Sequence, residues 1–268
     1  LKISVCGKGG SGKSAVVALL AKELQTRGYH VLVVDSDESN SGLFRMLGFE
    51  HPPVPLMDAV GGKRSLQQKM VARFSSGESE PKMEILSEDK IQLRDIPHGY
   101  IVGGDNLRLV NIGKILQSLE GCACPMGVLS REFLRKLTLE ANEVAIVDME
   151  AGVEHFGRGI ETSIDTVLVI VEPSLESVEL AAKVRSLAAD AGVSYIWAVL
   201  NKIGPDEIAL RLKEELRKRD VEVIGLVHYD AEIFEACLEG RKLGKGRAAQ
   251  EIGDIVGRLL ATRRARCA

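Results

Sequence analysis

No run of this sequence approaches the ~18 consecutive apolar residues of a membrane-spanning helix, so no membrane partner is expected. Neither sign of charge dominates. The formal net charge is -3 over 268 residues, which removes the electrostatic reason to expect nucleic acid as the main partner. The opening residues lack the basic-then-apolar layout of a secretion signal, because a short apolar stretch feeds directly into a glycine-rich loop. A cytoplasmic protein is the expectation. Cysteine is scarce and odd in number, with five in the chain. In a reducing compartment that argues against a disulfide framework and leaves metal binding or plain burial. There is no internal repeat and no long linker. What remains is 45% hydrophobic and 27% charged, the make-up of an ordinary globular protein with a substantial core.

The most informative stretch is Gly7-Lys8-Gly9-Gly10-Ser11-Gly12-Lys13-Ser14, which matches the phosphate-binding pattern G-x-x-x-x-G-K-[ST]. A strand-like run precedes it and an apolar helix-like run, Ala15 to Leu24, follows. Glycines let the backbone curl so that successive N–H groups converge on phosphate oxygens, and the helix N-terminus adds favourable dipole charge. Lys13 is expected to reach the β- and γ-phosphates and the Ser14 hydroxyl to ligate Mg²⁺. A glycine-rich turn that fits by chance is the plain alternative, and the strand-then-helix context argues against it. The pattern allows any residue where Lys8 stands. Lys8 is therefore either an exposed loop charge or a second cation aimed at phosphate, in its own subunit or a facing one.

Helical patterning ends near Gly28, and His30–Asp35 reads as a strand buried on both faces. Asp35 and Asp37 follow at its carboxyl end, the edge where open α/β sheets bind ligands. Residues 52–106 are irregular, with a helix expected over Ser65–Phe74 and a polar excursion over Ser75–Asp89. A strand is expected at Arg108–Gly113 and a helix at Ser130–Glu140. Val144–Asp148 and Thr166–Val171 read as buried strands. A helix to about Ala191, a strand Tyr195–Leu200, a helix Pro205–Arg219 and a strand Val221–Val227 follow, with helices around Ala231–Leu238 and Ala248–Ala261. This alternation predicts an α/β fold: one doubly wound, mostly parallel sheet with helices on both faces. Residues 1–268 are expected to form a single P-loop domain with an insertion at about 52–106.

The loop with its extra Lys8 resembles the deviant Walker A motif of the family that includes the nitrogenase iron protein, MinD and ParA. That resemblance implies a homodimer in which Lys8 contacts nucleotide across the interface. It also implies a switch I segment at Asp35-Ser36-Asp37, where Asp37 orients the attacking water and Asp35 lies near the metal's outer shell. Glu38 stands where the family usually has proline. Asp148-Met149-Glu150-Ala151-Gly152 resembles the Walker B and switch II region, with Asp148 holding Mg²⁺ through water. Asn201 sits where the family places a base-reading asparagine, with Pro173 and Leu226–Tyr229 flanking the ring. Gly204 stands where a guanine-reading aspartate would be, which favours ATP. The catalytic set so implied is Lys8, Lys13 and Asp37.

The segments Asp148–Gly159 and Val171–Ser177, with Cys122-Ala123-Cys124-Pro125, are similar to CooC-type ATPases, which assist nickel insertion into carbon monoxide dehydrogenase. Independently, residues two apart in an extended segment project to one face, and Pro125 disfavours the helical region for Cys124. Two thiolates do not complete a site. A symmetry mate can supply two more, for Ni²⁺ or Zn²⁺. Structural or redox cysteines are the alternative. Cys6 reads as a small buried hydrophobe, and Cys237 and Cys267 as structural. The expectation is an Mg²⁺-dependent ATPase serving a nickel enzyme. An iron–sulfur electron-transfer ATPase and a positioning ATPase of the MinD or ParA kind are the rivals.

Overall fold

The computed structural model describes residues 1–38, 41–74, 86–104, 106–114, 124–153 and 163–267. In chain order the elements are β1 (Lys2–Gly7), α1 (Lys13–Thr26), β2 (His30–Asp35), α2 (Leu43–Leu47), α3 (Leu56–Ala59), α4 (Gly62–Phe74), β3 (Ile101–Gly104), β4 (Leu107–Asn111) and α5 (Cys124–Lys136). They continue with β5 (Glu143–Asp148), β6 (Thr166–Val171), α6 (Leu175–Asp190), β7 (Tyr195–Ile203), α7 (Asp206–Arg217), β8 (Glu222–His228), α8 (Ala231–Glu239) and α9 (Arg247–Cys267).

The strands form one sheet in the order β3-β4-β2-β5-β1-β6-β7-β8. Every pairing is parallel except β3 with β4. The chain starts in the middle of the sheet and winds outward in both directions, as the alternating sequence predicts. Along β1, β2 and β5 apolar residues alternate between the two faces. Ile3, Val31, Val33, Val144 and Ile146 join α1, α2 and α9 in one core. Leu32, Val34, Ala145 and Val147 face the other, with Phe133 of α5, Val184 of α6 and Leu216 of α7. Each of the Val, Leu, Ile and Phe side chains contributes roughly 1.5–3 kcal/mol by leaving water.

Register is what builds the site. Asp35, the last residue of β2, pairs with Asp148, the last of β5. Val5 pairs with Asp148 on the other side, so β1 delivers the glycine loop to the same edge one or two residues later.

Several expectations change. The helix expected over 130–140 begins six residues earlier, at Cys124, and ends at Lys136. Pro125 falls in its first turn, where a missing N–H leaves nothing unsatisfied. Cys124 is thus the first helical residue, not part of an extended stretch, and Cys122 lies outside the described residues. The helix stops because Leu137 bridges to Ile91 and the Thr138 N–H donates to the Ile91 carbonyl. The irregular stretch contributes the short edge strand β3, which the sequence reading did not anticipate, and α4 starts at Gly62. β7 runs three residues beyond Leu200, through an irregularity between Leu200 and Ile203. Among the described residues, no helix is long and apolar enough to cross a membrane.

Candidate active site

β1 ends at Gly7, whose φ of +150° is one that side-chain-bearing residues rarely adopt, and a Cβ there would lie 2.6 Å from the Ile170 carbonyl oxygen. The loop then crosses to α1, with Gly12 in the left-handed region as its N-cap. Two side chains from the end of β7 hold the loop's outer carbonyls. Asn201 Nδ2 donates to Ser11 O at 2.7 Å and Lys202 Nζ to Gly10 O at 2.5 Å. Lys202 itself sits at φ 56°. These bonds help hold the curl of the loop, within which the Ser11 N–H also donates to Lys8 O at 3.1 Å. Lys13 is buried, and its Nζ is 3.5 Å from Lys8 O. Gly9, Gly10, Ser11 and Gly12 lie between them in the curl.

Across the edge stand three buried carboxylates, Asp35, Asp37 and Asp148. The Ser14 hydroxyl donates to Asp148 Oδ2 at 2.6 Å. Asp148 Oδ1 is buried without a hydrogen-bond partner among the described residues. Burial first, and then the neighbouring Asp35 and Asp37, push the Asp148 carboxyl up to about 7, against the Ser14 hydrogen bond and Lys13. Burial likewise raises Asp35 to about 6, although Lys114 pulls it down. Among the described residues no three His, Cys, Asp or Glu side chains gather as a complete metal site, but the Ser14 hydroxyl and the partnerless Asp148 Oδ1 are hard-oxygen donors suited to Mg²⁺. The residues present therefore fit the cation that the phosphate loop implies.

A cavity of about 380 Å³ opens beside the loop. Gly12, Lys13 and Ser14 form one wall, with Asp37 and Asn201, and Val227–Asp230 and Phe234 form another. Pro173 and Leu226 are not on its lining. Lys8 points elsewhere. Its side chain is 40% exposed, and its Nζ stands 3.6 Å from both Glu172 and Glu176. Cys6 is fully buried and its thiol is pushed up to about 12 by desolvation, as befits an inert core residue. Cys237 is exposed and lines the cavity.

The family model described as CbiA, the CobQ/CobB/MinD/ParA nucleotide binding domain, matches residues 3–243. The chain belongs to this family. This CobQ/CobB/MinD/ParA protein is 40% identical over 256 residues to an uncharacterized ATP-binding protein of Methanocaldococcus jannaschii, covering 96% of this chain and 98% of that one. It is 30% identical over 241 residues to the carbon monoxide dehydrogenase accessory protein CooC of Rhodospirillum rubrum, covering 90% and 88%. Its fold is that of the septum site-determining protein MinD complexed with Mg-ADP from Pyrococcus horikoshii, with TM-score 0.69, 19% identity, and coverage of 97% and 96%. As a member of a P-loop ATPase family, the protein is an ATP hydrolase.

One residue gripping the acids is not marked in the sequence. Lys114, three residues after β4, is 10% exposed and grips both oxygens of Asp35, at 2.8 Å and 2.7 Å. Its Nζ also donates to the Asp37 carbonyl. A single lysine after a short strand carries no motif. Only the pairing of β4 with β2, which sets Asn111 beside Asp35, brings it to the acids.

Proposed function

We propose that this protein is a cytoplasmic, homodimeric ATPase of the CooC type, a single P-loop domain over residues 1–268. It would couple ATP turnover to the delivery of nickel to carbon monoxide dehydrogenase or a related nickel enzyme. The observation that carries the catalytic half is the Ser14–Asp148 hydrogen bond of 2.6 Å beside the unpartnered Asp148 Oδ1.

In this reading the loop N–H groups of Gly9, Gly10 and Gly12 to Ser14 and the Lys13 ammonium bind the β- and γ-phosphates of ATP. Ser14 and Asp148, with Asp35 and Asp37 around them, hold Mg²⁺, which when bound neutralises phosphate charge. Asp37 orients the attacking water. Asn201 and Lys202 keep the loop curled, and the Val227–Asp230 segment with Phe234 borders the base. Asn201 acts first on the loop, since its amide nitrogen is engaged by Ser11 O. Lys8 supplies a second cation to the nucleotide of the facing subunit, and to do so it leaves Glu172 and Glu176.

The metal half is supported by the CooC relative and by the Cys122-x-Cys124 pair. α5 begins at Cys124, which sets a helix N-terminus at that point of the chain. Two protomers would together offer four thiolates to the Ni²⁺ or Zn²⁺ cargo. A Cys122→Ala/Cys124→Ala variant is expected to lose stoichiometric Ni²⁺ or Zn²⁺ in elemental analysis while still binding ATP. Unchanged metal content would overturn the metal half.

A further inference from the structure

The segment Asp35-Ser36-Asp37 is held from outside the loop region at three points. The Ser36 N–H donates to the Asp148 carbonyl at 2.9 Å. The Ser36 hydroxyl donates to the Ser130 hydroxyl, in the middle of α5, also at 2.9 Å. Lys114 grips the Asp35 carboxylate and the Asp37 carbonyl together. Lys114 is in turn tied to α5 through its neighbour. A Cβ on Gly113 would lie 2.8 Å from Met126 Sδ, so the first turn of α5 rests directly on the backbone that aims Lys114. Ser130 and Met126 are buried, and Ser36 is half-buried.

We propose that Lys114 is a positioning residue of the ATPase reaction, and that with the Ser36–Ser130 hydrogen bond it clamps the two switch acids to α5. The charge balance supports this. Asp35, Asp37 and Asp148 repel one another in a desolvated setting, and a cation on Asp35 keeps the segment from swinging away. The backbone geometry adds direction, because holding the Asp37 carbonyl fixes the residue that, in the proposed function, orients the attacking water. The contacts also carry displacement outward. Any shift of Asp35 or Asp37 on nucleotide binding must drag Lys114, press Gly113 on Met126, or break the serine pair. Each of these alters α5. The inference rests on the ATPase site and not on metal at Cys122 and Cys124, so loss of the metal reading leaves it standing.

The test uses the full chain with three variants, Lys114→Met, Lys114→Arg and Ser130→Ala. Lys114→Met is expected to lower kcat about 100-fold, the cost of a misplaced catalytic group. Half-saturating ATP and Mg²⁺ should stay within about threefold, because the acids that hold the cation remain. Lys114→Arg should recover most of kcat. Should Lys114→Met fail to fold, Lys114→Gln takes its place with the same expected split. Hydrogen exchange over residues 124–136 should change in the parent when Mg-ADP is added. That response should be lost in Ser130→Ala while its Tm stays near the parent's. A kcat for Lys114→Met within about threefold of the parent, or a fall in kcat matched by the loss of folded protein and not rescued by arginine, overturns the positioning role. No nucleotide response in α5 of the parent, or an intact response in Ser130→Ala, overturns the clamp.

Discussion

The phosphate loop and the acid cluster face each other across one sheet edge, yet they are assembled in opposite ways. The loop is consecutive, running over residues 7–14, and Asn201 and Lys202 reach in from elsewhere to hold its carbonyls. The acid cluster is gathered from four places, namely the ends of β2 and β5, the residues after β4, and the middle of α5. A consecutive motif fixes its own geometry and works as a rigid cradle. A gathered one depends on the packing of separate elements, so it can respond to what binds. The division suits an ATPase, where phosphate must be held throughout and the acids must sense whether it is there.

The largest effects should separate the two regions by what they do. Lys13→Ala is expected to lower ATP hydrolysis at least about 1,000-fold and to weaken ATP binding, since it removes a cation that meets the phosphates in ground and transition states alike. Asp37→Asn should lower single-turnover hydrolysis about 100-fold with ATP affinity nearly unchanged, because water positioning matters only in the chemical step. Equal losses of affinity in both variants would erase the distinction between cradle and sensor.

A smaller effect tests the rigidity of the cradle. Gly7→Ala places a Cβ 2.6 Å from the Ile170 carbonyl at a φ of +150°. Backbone must move to admit it, so a loss of roughly 2–4 kcal/mol is expected. Thermal unfolding should report this as a Tm lower by several degrees. A variant as stable as the parent would mean that the β1 end is not tightly held.

The same contrast governs what could be read in advance. The loop, the two acids after β2 and the acid after β5 were legible because strand, turn and charge follow one another in sequence. Strand ends fell close to expectation for β2, β5 and β6, where apolar runs stop at an acid or a Glu-Pro. α5 was started too late because the residue before proline is biased away from helix, whereas a proline in a first turn is tolerated. β3 is only four residues long and ends in two glycines, so nothing in its composition marks a strand. It exists because β4 offers an edge. Lys114 and Ser130 have no local signature at all. Their roles arise from the order of strands, which sets β4 beside β2, and from the packing of α5 on Gly113. Asn201, at the end of β7, donates its amide nitrogen to the loop, a contact between residues 190 positions apart that no local pattern announces.

The smallest effect is also the most diagnostic of the acid side. Asp148 titrates at about 7 and Asp35 at about 6 in the folded chain, against an ordinary value of 3.8. Between these values the folded state holds protons that the unfolded chain has released, so stability falls as pH rises through the folded values. The protein without nucleotide should therefore gain roughly 1–2 kcal/mol on going from pH 8 to pH 6. Chemical denaturation at the two pH values measures this directly. Asp148→Asn cannot ionise and should remove most of the slope, with the variant more stable than the parent at pH 8. Added Mg-ADP should act in the opposite sense, because a cation among the carboxylates favours their charged forms, and its stabilising effect should grow from pH 6 to pH 8. The phosphate loop carries no carboxylate, so Lys13→Ala should leave most of the nucleotide-free slope in place. A slope that vanished with Lys13 and persisted without Asp148 would mean that the strain resides in the loop and not in the acids.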